Sequence, residues 1–281
     1  MTTFIKVTMG HAEPLLQLAQ RTGIRPRFDP MGKTILVTGA SSGIGRLTVL
    51  RLAELGAYVI AVARREDKLI DVMNSIEPAN RGTAYPCNLA DRKATRRLTE
   101  EITKSYGGVD ALINNAALSI RRWTTESFDR LHDYERTINL NYLAAVQLTL
   151  AFIPGMLERG GGRIVNSGTW GVPGGTMPRF AAYHASKSAL TSFGRSVNAE
   201  LGHRNIRVST VHFPLVRTPM AAQTAQYRDY PALTPDQAAQ WIIDALALYP
   251  AEVMPAVAKI LHRVGRISPR AADKIVVKIG I

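Results

Sequence analysis

Along the chain, short runs of β-branched and aliphatic residues alternate with longer segments whose apolar positions recur every three or four residues. From Lys33 onward the alternation is regular. The runs Thr34–Thr38 (TILVT), Tyr58–Ala63 (YVIAVA), Thr83–Cys87, Asp110–Asn114 (DALIN), Arg163–Ser167 (RIVNS) and Arg207–His212 (RVSTVH) predict six strands. Helical segments over Ile44–Leu55, Glu66–Ile76 and the charged Arg92–Tyr106 separate the first four, and further helices lie between the rest. Parallel strands need crossover connections, so this succession predicts an α/β chain whose parallel sheet is covered by helices on both faces. The two ends read differently. Residues 1–32, with Pro14, Pro26, Pro30 and the apolar Leu15, Leu16 and Leu18, predict an N-terminal arm before a domain over 33–250. In 251–281 the stripes Val257, Ile260, Leu261, Val264 and Ala272, Ile275, Val276, Ile279 predict a C-terminal extension of two amphipathic helices. Lys259, Arg263, Arg266, Arg270, Lys274 and Lys278 make their outer faces basic. Such faces suit a solvated side of a core-packed tail, a lid, or a contact with a membrane surface.

Composition narrows the function classes. With 281 residues, 46% hydrophobic and 20% charged, the chain can bury a continuous core without metals or disulfides. Its single cysteine, Cys87, excludes an intrachain disulfide and fits a reducing compartment. A net charge of +13, from 35 basic and 22 acidic residues, points to anionic partners such as phosphates, CoA, nucleic acid or acidic lipid. The basic residues are spread over several helices without interleaved aromatics, so no nucleic-acid partner is expected. No apolar run approaches the roughly 20 residues of a membrane-spanning helix, and no secretory signal pattern opens the chain. The expected location is cytoplasmic, with the peripheral membrane surface as the alternative.

The chemistry-bearing segments follow the strands. TGASSGIG, Thr38–Gly45, lies between a strand and a helix. Gly39, Gly43 and Gly45 let the backbone turn tightly, while Ser41, Ser42 and Ile44 bring a pyrophosphate to the N–H groups opening the helix. At the end of the second strand, where an acidic residue would bind the 2′-hydroxyl of NAD, stand Arg64 and Arg65. These suit a 2′-phosphate, so NADPH is favoured over NADH. In YHASK, Tyr183 and Lys187 are four residues apart on one helix face, where an ammonium would lower the phenol's pKa and make it a proton donor.

Taken together, TGASSGIG, NNAA (Asn114–Ala117), INLNY (with Asn139) and YHASK resemble the short-chain dehydrogenase/reductase family in order and spacing, over Lys33 to about Met220. The resemblance implies a single Rossmann-type doubly wound domain, an NAD(P)-dependent oxidoreductase and a homo-oligomer. By the same resemblance Tyr183 donates the proton, Lys187 binds the nicotinamide ribose, and Asn139 holds a water in a proton relay. Asn88, Leu89, Asn115, Ala116, Pro214, Val216 and Thr218 join the cofactor site, and no metal is implied. The family's carbonyl-polarising serine falls at Thr169, three residues after Asn166, with Ser167 as the competing candidate. Two positions depart from the pattern: Ala117 replaces a glycine and Asn88 an aspartate.

Within the family, SIRRW (Ser119–Trp123), FDRLHDYERT (Phe128–Thr137), PRF (Pro178–Phe180) and VRTPM (Val216–Met220) look like the bacterial fatty acyl-CoA reductases and long-chain 3-oxoacyl reductases of the mycolate type. The expected substrate is a small-molecule or lipid carbonyl, CoA-linked or not. Arg121 and Arg122 suit an anionic head group such as a CoA phosphate, or a plain surface role. Either reaction, 3-oxoacyl to 3-hydroxyacyl or acyl-CoA to aldehyde, is compatible with these residues. The alternatives are a non-catalytic NADP(H)-binding regulator and a basic nucleic-acid-binding protein.

Overall fold

The apolar runs become strands β1 (Thr34–Thr38), β2 (Tyr58–Ala63), β3 (Gly82–Pro86), β4 (Ala111–Asn114), β5 (Gly162–Thr169), β6 (Ile206–Phe213) and β7 (Glu252–Val253). The computed structural model describes residues 27–77 and 82–279. All seven strands are parallel, in the order β3-β2-β1-β4-β5-β6-β7. The winding direction therefore reverses between β1 and β4. Six strands match the expected runs to within two residues at either end. The seventh, pairing with Thr210 and Val211, is too short to leave a periodic signal.

Alternate strand residues feed two cores. Ile35, Val37, Val59 and Ala61 face α1 (Gly43–Glu54), α2 (Glu66–Asn74) and α9 (Pro235–Leu248). Leu36, Ile60, Val62 and Leu112 face α3 (Arg92–Tyr106), α5 (Ala144–Glu158) and α7 (Ala181–Leu201). A sheet apolar on both sides needs this double cover, and the result is a single Rossmann-type domain. The short helices α6 (Gly171–Gly174) and α8 (Pro219–Ala222) follow β5 and β6. Helix α2 ends sooner than expected because the Ser75 and Ile76 N–H groups bond back three residues, to Val72 and Met73, and tighten the last turn.

Helix α4 (Leu131–Ile138) runs into α5 through a widened turn, Asn139–Leu143. The continuous stretch Leu131–Glu158 is long and apolar enough to cross a membrane by composition, contrary to the expectation that no such run exists. Its Leu148, Phe152 and Met156 are instead buried in the second core. The C-terminal helices α10 (Ala256–Ile267) and α11 (Pro269–Ile279) form as expected. Val257, Ala258, Leu261 and Val276 close a third cluster around Trp170, whereas Ile260 is exposed. Of the N-terminal arm, residues 1–26, including Pro14, Leu15, Leu16, Leu18 and Pro26, lie outside the described residues. Arg27 and Gly32 are pinned by backbone bonds to Ala247 and Gly56.

Candidate active site

Where the winding reverses, neighbouring strand ends send their loops apart and a crevice opens. Here a cleft of about 980 Å³ runs along the C-terminal strand ends, from Arg64 after β2 to Val216 after β6. The switch point is latched. Thr38 Oγ1 donates to Ile113 O (3.1 Å) and accepts from the N–H groups of Asn115 (2.9 Å) and Ala116 (3.0 Å). Asn115 Nδ2 donates back to Thr38 O at 3.1 Å.

The glycine loop follows β1. Gly39 sits at φ +66°, and a β-carbon there would lie 2.9 Å from Ala116 Cα, so only glycine lets the two loops meet. A β-carbon on Gly45 would strike the Gly39 carbonyl oxygen; that residue supports the loop from behind and does not line the cleft. Ser42, extended before α1, caps nothing with its side chain, so the helix's first N–H donors and positive end are left for an anion. Gly39, Ser41, Ser42, Gly43 and Ile44 line the cleft, as do Arg64, Arg65, Leu89, Asn115, Ala116, Pro214, Val216 and Thr218. Arg64 and Arg65 are exposed, and Arg65 Nη2 donates to Ser41 Oγ at 3.2 Å, beside the glycine loop. The glycine loop, the uncapped helix and the two cations fit the phosphates of a nicotinamide dinucleotide. Asn88 does not line the cleft, and its Oδ1 is taken by the Ala90 N–H at 3.2 Å. Ala117 has no positive φ, so losing the family's glycine strains nothing.

The reaction end lies over β5. Ser167 and Thr169 share a strand face, and both line the cleft with Tyr183 and Lys187, one turn apart on α7. Lys187, 1% exposed, donates from Nζ to Ser167 O at 2.7 Å and stands 5.8 Å from the Tyr183 ring centre. Ser167 Oγ donates to Asn115 Oδ1 at 3.2 Å. Among the described residues the Thr169 hydroxyl meets only Met177 Sδ, at 3.9 Å. Behind it the buried His212 places Nδ1 3.1 Å from Thr169 O and Nε2 3.0 Å from Glu252 Oε2.

Electrostatics overturn one expectation. Burial pushes the Tyr183 phenol up to about 12 and the Lys187 ammonium down to about 8. Each side chain loses more solvation than the other returns, so the phenol is not acidified. It holds its proton throughout the neutral range. Asn139 does not line the cleft: its Nδ2 donates to Ala90 O at 2.8 Å, and its carbonyl accepts the Ala144 N–H across the widened turn.

Sequence reasoning passed over Asn141, two residues on. Its side chain bonds both the N–H and the C=O of Leu118, and also Ser186, tying the loop after β4 to α7. A polar residue amid an apolar helix was its only signal. Trp170, Met177, Phe180, Tyr227 and Tyr230 also line the cleft from loops whose aromatic content was the available hint. The paired expectation for Arg121 and Arg122 splits: Arg121 lines the cleft, whereas Arg122 Nε is 3.3 Å from the buried Asp133 carboxylate.

The short chain dehydrogenase family profile matches residues 33–229. A fatty acyl-CoA reductase of Mycobacterium tuberculosis is 44% identical over 270 residues, covering 94% of this chain and 91% of the relative. A fatty acyl-CoA reductase of Acinetobacter baylyi is 42% identical over 255 residues, covering 90% and 86%. Among solved structures, the L-sorbose reductase of Gluconobacter frateurii complexed with NADPH and L-sorbose superimposes with a TM-score of 0.72 at 25% identity, covering 81% of this chain and 96% of that one. Glycine loop, latched switch point and Tyr–Lys helix thus sit in a fold and a sequence that agree: the chain belongs to the short-chain dehydrogenase/reductase family and is an NAD(P)-dependent oxidoreductase.

Proposed function

We propose that the protein reduces the carbonyl of a long-chain acyl substrate, with NADPH as its cofactor. The observation that carries this is the reaction end of the cleft. There Thr169 presents a hydroxyl with no oxygen or nitrogen partner among the described residues, on the wall it shares with Tyr183 and Lys187. Ser167 is spent on both sides, its hydroxyl on Asn115 and its carbonyl on Lys187. Thr169 therefore polarises the substrate oxygen, and Ser167 positions Asn115 and Lys187. When bound, the nicotinamide supplies the hydride to the carbonyl carbon. Tyr183 gives its proton to the alkoxide that develops on the oxygen, and Thr169 donates a second hydrogen bond to it. Lys187, held by Ser167, keeps positive charge beside the phenol as its proton leaves. Asn139 ties the loop after β3 in place through Ala90, and Asn88, Leu89, Asn115, Ala116, Pro214, Val216 and Thr218 frame the cofactor.

Of the two carbonyl classes, the acyl-CoA thioester is favoured by the relatives at 44% and 42% identity, whose names state that activity. Hydride addition and protonation give a hemithioacetal, which collapses to the aldehyde and releases CoA as the free thiol. A 3-oxoacyl substrate would stop at the 3-hydroxyacyl product. Helices α10 and α11 carry exposed Ile260, Ile267 and Val277 among their basic side chains, a pattern that suits an anionic lipid surface from which a long-chain substrate arrives. A second copy of the chain would cover the exposed Leu143 and Leu150. The deciding experiment measures NADPH oxidation over acyl-CoA and 3-oxoacyl compounds of increasing chain length, with products identified by mass. Aldehyde from long acyl-CoA is expected and should vanish in Tyr183→Phe. Failure to oxidise NADPH with any member overturns the proposal.

A further inference from the structure

Two groups of arginines flank the reaction end on opposite sides along the sheet edge. Arg64 and Arg65 follow β2, on the side of the glycine loop. Arg121, from the loop after β4, meets the segment after β6: Nη2 donates to Gln226 Oε1 at 2.7 Å, and Arg121, Gln226 and Tyr227 line the cleft together. Arg179 does not itself line the cleft but is anchored beside the same loop, stacked 4.2 Å from the centre of the Trp123 ring, two residues on from Arg121. Arg179 is one of three described non-glycine residues at positive φ (+67°), and its carbonyl is fastened by the Arg122 N–H at 2.7 Å. Backbone strain is thus accepted at the position that brings the second cation here.

Among the described residues neither Arg121 nor Arg179 forms an ion pair, and Arg121 Nε is buried with no hydrogen-bond partner. Neighbouring Arg122 and Arg130 differ in charge pairing, since both come within ion-pair distance of the buried Asp133 carboxylate, although Arg122 Nε, like Arg121 Nε, has no hydrogen-bond partner. Two guanidinium groups close together repel, and an anion held between them relieves that repulsion. Planar guanidinium donors match a phosphate in geometry as well as in sign. The β2-side pair suffices for the cofactor's own 2′-phosphate, so the second pair is free for another phosphorylated ligand.

We propose that Arg121 and Arg179, both anchored by the loop after β4, bind a phosphate of the CoA moiety and thereby select CoA thioesters over acyl substrates without a phosphorylated carrier. This rests on the acyl-thioester reading above and adds the residues that would enforce it. Trp123 supports Arg179, Gln226 orients Arg121, and Arg122 belongs to the scaffold.

The test has a binding arm and a kinetic arm. Calorimetry on the NADP⁺-saturated protein should show CoA binding, with pantetheine and inorganic phosphate each at least about tenfold weaker. Arg121→Gln and Arg179→Gln should each weaken CoA binding by about tenfold or more. Kinetically, the ratio of kcat/KM for an acyl-CoA to that for the matching acyl-N-acetylcysteamine thioester should fall by a similar factor in each variant, through KM. Equal losses on both thioesters, or CoA affinity indifferent to both substitutions, would overturn the site while leaving the proposed activity standing. Arginine-dependent CoA binding without turnover of any acyl-CoA would uphold the site and remove the activity. Inorganic phosphate binding as tightly as CoA would show a free-anion site and overturn the assignment.

Discussion

At the scale of single residues, the burial of Lys187 creates a conflict between stability and activity. Its ammonium, ordinarily near 10.5, is held down to about 8. A cation with a depressed folded pKa is a cost below that pKa, where both folded and unfolded chains carry the charge. Between about 8 and 10.5 the unfolded chain still binds the proton and the folded one does not, so stability rises with pH across that window. Two and a half units correspond to about 3 kcal/mol at neutral pH. Lys187→Met keeps the stem and deletes the charge. It should abolish turnover yet stabilise the protein at pH 7 by about 1–3 kcal/mol in denaturant unfolding, with the gain shrinking from pH 8 to 10.5. A destabilisation of equal size at every pH would show that the bond to Ser167 O matters more than desolvation. Two positions beyond Ser167 on β5, Thr169→Val should lose about 100-fold in kcat, because it removes a donor to the developing oxyanion. Ser167→Ala, which loosens only Asn115, should lose about tenfold or less. The reverse order in steady-state assays would transfer the polarising role to Ser167.

At the scale of elements, what the amino-acid pattern revealed depended on how many residues carried the same message. Strands β1, β2 and β4 were legible because nearly every residue in them is buried on one face or the other and thus apolar. The Tyr183–Lys187 pair was legible because four residues on a helix put two side chains on one face whatever packs around them. Roles set by a partner distant in the chain were not. Thr169 and Ser167 share a strand face, and only Asn115 and Lys187, arriving from β4 and α7, tell them apart. Arg121 and Arg122 are adjacent in sequence, and only Asp133 reveals that one of them belongs to the scaffold. The acidification expected of Tyr183 failed for a related reason: spacing shows proximity, whereas desolvation depends on everything that covers the pair. Cofactor choice sits at the end of β2, where element and residue meet. Arg64→Ala should raise KM for NADPH about tenfold while changing KM for NADH little, because a charge-assisted bond to a phosphate is lost that NADH never makes. Equal changes in both constants would remove the β2 arginines from cofactor selection.

At the scale of the whole molecule, the +13 charge and the C-terminal helices bear on how the proposed long-chain substrate would reach the cleft. Trp170 links the two. It lines the cleft on one side and on the other packs with Val257, Ala258, Leu261 and Val276, so α10 and α11 form the outer support of the cleft wall. At the junction of these helices Ile267 is 88% exposed, between the exposed Arg266 and Arg270. An isolated isoleucine on a solvated tail would gain nothing from such exposure. Beside basic side chains, each contributing about 1 kcal/mol near an anionic surface, it can enter the boundary between headgroups and acyl chains. Co-sedimentation should therefore show binding to phosphatidylglycerol vesicles, little binding to phosphatidylcholine vesicles, and loss of binding as salt shortens the screening length from about 10 Å at 0.1 M towards about 3 Å at 1 M. Ile267→Ser should weaken binding without altering salt dependence, whereas Arg266→Gln with Arg270→Gln should flatten it. With a long-chain acyl-CoA, both variants should lose activity on vesicle-held substrate and keep it on substrate below its micellar concentration. Equal binding to both vesicle types, or equal activity losses in both formats, would make the hairpin a buttress for Trp170 and nothing more.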